Sequence, residues 1–222
     1  MKFVKSFVIA LLFFAAFACS DDDPLGPNEI GGDTNIDLTQ VGEESTVYIS
    51  IDDGQDVSAT MTVLSRENGI VRYKLEADID ELEDYEIFKD MLPEGFVSED
   101  GKVTTEMKFK ITSEGIQDYF QGDKPWTIVK YNAKVGDEYT ITTPEGNTLS
   151  RRVTEKTGVD DWPIGFMNIK TIKIEQDMPA GDDYPQKVIY RANHKFGIVY
   201  METILKDGTS IKVDILPFFL LI

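Results

Sequence analysis

TVYISIDDGQDVSATMTVLSRENGIVRYKLEADI, residues 46–79, alternates apolar and polar side chains along three successive runs. Val47, Ile49 and Ile51 alternate with Tyr48, Ser50 and Asp52 in the first run. Val57, Ala59, Met61 and Val63 mark the second, and Val71, Tyr73, Leu75, Ala77 and Ile79 the third. Successive strand residues point to opposite faces, so this period of two predicts strands with one dry and one wet face. Asp53-Gly54 and Asn68-Gly69 fall between the runs, where two-residue hairpin turns need positive φ. These residues alone predict a three-stranded antiparallel meander.

The period then changes. Leu82, Tyr85, Phe88 and Met91/Leu92 recur at helical spacing, with Asp80 and Glu83 as a capping box and Pro93 and Gly95 as the stop, which predicts an amphipathic helix over 81–92. Met107, Phe109 and Ile111 resume a strand. Ser113 is read as the cap of a second short helix carrying Ile116, Tyr119 and Phe120, closed by Gly122. Strand patterns fill the second half: 126–131, 138–143, 148–156, 169–175, 187–192, 198–205 and 211–215, with Lys206-Asp207-Gly208-Thr209 as a hairpin turn. Ile198 to Met201 is apolar on both faces, as a covered central strand would be. The closing run Ile215–Ile222 is read as a final edge segment because Pro217 disfavours a central strand.

The expected fold class is mostly β (α+β): one strongly curved antiparallel sheet or half-barrel of about ten strands, with one or two short helices packed against it. The hairpin sequence, with VGDEY in one turn and HKFGIVYMETILKDGT near the end, resembles the curved half-barrel domains of bacterial envelope lipoproteins. Lol-type lipoprotein carriers share that general architecture. The resemblance spans roughly residues 125 to 215 and rests on turn and strand patterns.

The N-terminus reads as an address. Lys2 and Lys5 precede an apolar run, Phe7 to Phe17, too short for the roughly 20 residues of a spanning helix. Ala16-Phe17-Ala18 satisfies the small-x-small rule of signal peptidase, so residues 1–18 are expected to be a signal peptide. The same residues followed by Cys19 resemble the lipobox of bacterial lipoproteins, with Ala16 where that motif has leucine. Cys19 is the only cysteine, and a lone free thiol is a liability in an oxidising compartment, which favours a thioether-linked lipid there. Ser20, Asp21, Asp22 and Asp23 resemble the acidic export signal that one large Gram-negative phylum places after its lipidated cysteine. The expected location is the outer membrane, lipid-anchored and facing the cell surface, the periplasmic face being the alternative. Residues 19–42, rich in Pro, Gly and acids, are expected to be a tether, and 43–222 a single antiparallel β domain.

Charge narrows the partners. The mature chain loses Lys2 and Lys5 from 22 basic residues and keeps all 40 acidic ones, so a net charge of −18 becomes −20. Phosphates and anionic headgroups are repelled by such a surface, which excludes nucleic acid and leaves the lipid as the membrane contact. With one histidine there is no multi-histidine metal site, and no P-loop, G-x-S-x-G elbow or dinucleotide fingerprint appears. His194 is read as a solvated turn residue rather than a base. Asp52-Asp53-Gly54-Gln55-Asp56 lacks the spaced ligands and closing glutamate of an EF-hand. No cofactor is expected. Trp162-Pro163 and Tyr184-Pro185 each follow two acids; with Trp126 they are the candidate ligand contacts, for a glycan stacked on the aromatics.

The expected function is therefore a non-enzymatic binding or accessory module. Its candidate partners are a glycan, an apolar small molecule or an envelope protein. The alternative is a half-barrel carrier for an acyl chain or another apolar molecule under the 81–92 helix. If Cys19 carries the lipid, Cys19→Ala should move the protein from the membrane fraction to the soluble one and abolish incorporation of labelled fatty acid. Unchanged partitioning in the variant would refute the anchor.

Overall fold

A computed structural model describes residues 28–52, 54, 56–79, 98, 101–120, 124–143, 146–178 and 185–217. The signal peptide, Cys19 to Asp23, the 81–92 helix, Tyr184 and residues 218–222 lie outside them. Among the described residues fourteen strands are formed: β1 (Glu44–Ile51), β2 (Val57–Glu67), β3 (Ile70–Asp78), β4 (Lys102–Ile111), β5 (Gly115–Asp118), β6 (Trp126–Lys130) and β7 (Glu138–Thr142) in the first part. They continue as β8 (Thr148–Lys156), β9 (Trp162–Ile164), β10 (Met167–Ile169), β11 (Ile172–Asp177), β12 (Lys187–Asn193), β13 (Gly197–Ile204) and β14 (Ser210–Pro217).

Twelve of these make one antiparallel sheet in the order β6-β5-β4-β3-β2-β1-β14-β13-β12-β11-β8-β7, while β9 and β10 form a separate hairpin. The sheet curls until its end strands approach one another, giving a nearly closed barrel with more strands than the half-barrel expected. The 46–79 meander is formed as its alternation predicts. Val47 pairs with Ala59 and Met61 with Leu75, all facing inward. Asn68 and Gly69 both hold positive φ, 50° and 77°, the conformation the tight turn requires.

Three expectations are corrected. Among the described residues there is no α-helix, and the helix read from Ser113 is replaced by β5. Its Ile116 and Asp118 both point into the barrel, so a period of two wins over the helical spacing of Ile116, Tyr119 and Phe120. The described part of the closing run, Ile215 to Pro217, is not an edge: β14 lies between β1 and β13, with Pro217 at the last register position opposite Ser45.

The third correction concerns the tether. From Asn28 to Gln40 the chain is a strap laid along the barrel wall and across one end, with Ile30 and Thr39 buried. Lys110 donates to Ile30 O, and Asp33 and Ser113 exchange two hydrogen bonds. Arg66 reaches Asn35 Oδ1 at 3.0 Å, and the Tyr73 hydroxyl donates to Leu38 O at 2.8 Å. A short 3-10 turn, Asp37–Thr39, then leads into β1.

The β9–β10 hairpin covers the outside of β13. Ile164, Ile169, Phe196 and Val199 form a small apolar cluster there, while Ile198 and Met201 of the same strand face the interior. The both-faces-apolar pattern of this strand thus reflects the hairpin on its outer side and the barrel interior on its inner one. Further along the wet face, Glu175 accepts from Lys173 at 2.6 Å and from Lys187 at 2.9 Å. These hydrogen bonds hold its carboxyl down at about 2. A carboxyl lowered on folding adds stability above its unfolded pKa, which is lost as pH falls through the folded one. Acid unfolding followed by circular dichroism should therefore lose a stability increment between about pH 4.5 and 2 that Glu175→Gln lacks. Parallel acid limbs in the two proteins would contradict it.

Candidate functional site

Two features stand out inside the barrel, a filled polar layer at the seam and a hollow beside it. The seam lies between β6 and β7, the end strands of the sheet, which share no ladder. Arg151 on β8 spans it, fully buried. Its Nε donates to Gln176 Oε1 at 2.8 Å and its Nη2 to Asp118 Oδ2 at 2.6 Å. Nη1 reaches Trp126 O and Thr127 O on the free edge of β6, at 3.3 and 3.4 Å. The guanidinium lies 3.7 Å from the Trp126 ring centre, stacked on its face, and the Trp126 N–H donates across the seam to Tyr139 O at 3.0 Å.

Asn28 joins the same edges. It accepts from Gln117 on β5 through its carbonyl and from Thr127 N–H on β6 through Oδ1, and its amide donates to Thr140 O on β7. Burial pushes the Asp118 carboxyl up from its ordinary range, against the pull of Arg151. The pair is 1% and 0% exposed, so neither charge has water as an alternative partner, and each depends on the other.

The hollow has a volume of about 290 Å³. Along β14 all four inward residues, Ile211, Val213, Ile215 and Pro217, line it; Val47 and Ile49 of β1 continue the wall, and Met61, Met107 and Met201 add thioethers. Tyr73, Phe109 and Tyr190 supply rings. None of the described residues that line it is charged. Among the described lining residues the polar side chains are Ser45, Thr203 and the two tyrosines, whose hydroxyls are held by Leu38 O and Arg151. Phe120, 51% exposed and edge-on to Phe109 at 5.6 Å, is the large apolar lining residue that reaches the surface.

The sequence candidates fall elsewhere. Trp126 is buried in the seam layer, its face taken by Arg151, and offers no platform to a glycan. Trp162 is half-buried on β9 with Arg191 4.3 Å from its ring centre and Tyr200 at 5.2 Å. His194 is exposed in the β12–β13 turn, edge-on to Tyr131. Asp52 accepts Ser210 N–H at 2.8 Å, and among the described residues no three His, Cys, Asp or Glu side chains gather as a metal site.

Arg151 and Asp118 escaped the sequence reading although a signal existed. In Leu149-Ser150-Arg151-Arg152-Val153 the period of two puts Arg151 on the apolar face, and in Ile116-Gln117-Asp118 it does the same for Asp118. A charge at an inward position of a strand demands a partner of opposite sign.

Arg151→Met leaves the Asp118 carboxylate buried and alone, and urea unfolding should register a loss of about 3–5 kcal/mol. Arg151→Met with Asp118→Leu should regain much of it. A double variant as unstable as the single one would show that the pair does more than neutralise itself.

No protein-family model, no curated protein and no solved structure matches this chain.

Proposed function

We propose that this protein is a non-enzymatic carrier or binding module of the cell envelope that holds an apolar small molecule inside its barrel. The observation that carries the reading is the uncharged hollow. Protein interiors are packed to the density of organic crystals, and voids larger than a water molecule are few. At about 24 cal/mol per Å³, leaving 290 Å³ empty forgoes on the order of 7 kcal/mol, comparable to the whole stability of an ordinary domain. A sequence under no need to hold something would fill that space with larger side chains. The three methionines suit the same role, since their unbranched, polarisable side chains adapt to an occupant.

In this reading the lipid on Cys19 anchors the chain in the outer membrane, the Ser20–Asp23 tract directs it to the cell surface, and the anchor keeps the barrel near a source of apolar molecules. The periplasmic face is the alternative side. The hollow favours the carrier over a purely scaffolding module.

Full-length protein should take up a fluorescent fatty acid at micromolar concentration. Val213→Trp, which places an indole midway along the hollow, should weaken uptake by more than about tenfold, a shift of about 1.4 kcal/mol, while the far-ultraviolet circular dichroism stays unchanged. Absence of uptake by the unmodified protein would overturn the reading.

A further inference from the structure

The hollow has a length and an end. Ile211 and Pro217, which line its two extremes along β14, are six residues apart on one strand, a span of roughly 20 Å at about 3.4 Å per residue. An apolar cavity of about 150 Å³ holds a single benzene ring, and here some 290 Å³ is drawn out over that span. The span is long enough for an extended chain.

At the Pro217 end stands Leu38, the one lining residue contributed by the strap rather than by a strand or an adjoining turn. It sits against Gly197, where a Cβ would meet Leu38 Cδ1 at 3.2 Å. Gly197 has φ of 73°, so its place in the wall is fixed by a conformation other residues avoid. The backbone behind Leu38 is pinned too. Tyr73 bonds its carbonyl, and the buried Thr39 hydroxyl donates to Ile36 O at 2.8 Å and Thr34 O at 3.0 Å. Arg66 ties Asn35 to the barrel.

Building on the apolar-ligand reading, we propose that the occupant is a single unbranched acyl or alkyl chain inserted apolar end first, and that Leu38 is the stop that sets the longest chain admitted. A charged head finds no counter-charge among the described lining residues and stays outside. A pinned leucine against which the chain end comes to rest then converts chain length into affinity. Each methylene gained inside tightens binding by roughly fourfold, until the chain end meets Leu38 and the gain stops.

The test is displacement of a fluorescent fatty acid from the full-length protein by saturated monocarboxylates of increasing length. Affinity should climb and then level or fall at a limiting length. Leu38→Ala should move that limit to longer chains by about two methylenes, and Leu38→Trp should move it to shorter ones. Leu38→Met should leave it in place. Leu38→Val should shift it in the same direction as alanine by a smaller step, which keeps the question answerable if the alanine variant fails to fold.

A limit that stays fixed across the folded variants, with binding intact, overturns the role of Leu38 and leaves the carrier reading standing. Equal binding of a branched or polycyclic competitor of the same carbon number overturns the single chain. If no monocarboxylate displaces the probe from the unmodified protein, both the stop and the reading beneath it fail.

Discussion

Rolling twelve strands into a barrel without a ladder between the first and last leaves two rows of backbone groups facing one another without regular partners. Arg151 resolves this by presenting several donors in one plane to the seam. Two carbonyls of β6, the Asp118 carboxylate, Gln176 and Tyr190 all take hydrogen bonds from one guanidinium. A lysine ammonium, compact and without a planar fork, could neither stack on Trp126 nor reach so many acceptors at once. Asn28 supplies a second set of bonds across the same edges. The curvature of the whole sheet, and the space it encloses, rest on this junction.

The interior is accordingly divided. On the seam side it is dense, with the Arg151 layer and the rings of Trp126 and Tyr190 set among Val153, Ile174 and Ile128. On the side of β1, β2 and β14 the residues are smaller, Val47, Ile49, Val57 and Ala59 among them, and the sheet bends round a gap. The dense half keeps the barrel shape independent of whatever occupies the other half. A hollow needs a rigid wall, and a buried, fully engaged ionic layer provides one.

Much of this architecture could be read in advance. Asn68-Gly69 marks a turn because few other pairs accept two positive φ angles, Gly208 holds φ of 95° in the last hairpin turn, and the alternation between the turns sorts inner from outer faces. What failed to show has physical causes. The strap is held by side-chain-to-backbone bonds, which leave no period in the sequence, so its Pro, Gly and Asp content reads as a tether. Strand β5 is four residues long, and Ile116, Tyr119 and Phe120 match a helical spacing by coincidence. The hollow was invisible because Val213 lining a cavity and Val153 packed in a core are the same residue in the same pattern. Only the diameter of the closed sheet distinguishes them.

The pairing of β1 with β14 has a kinetic consequence. Val47 lies opposite Ile215, so the first of the described strands waits for the last of them. Closing so long a loop is entropically slow, and all-β domains dominated by such distant contacts fold in milliseconds to seconds. Until β14 arrives, β1 presents an open edge of the kind that recruits other chains. The 40 acidic residues then act before the fold exists, since like-charged unfinished chains repel one another while they wait.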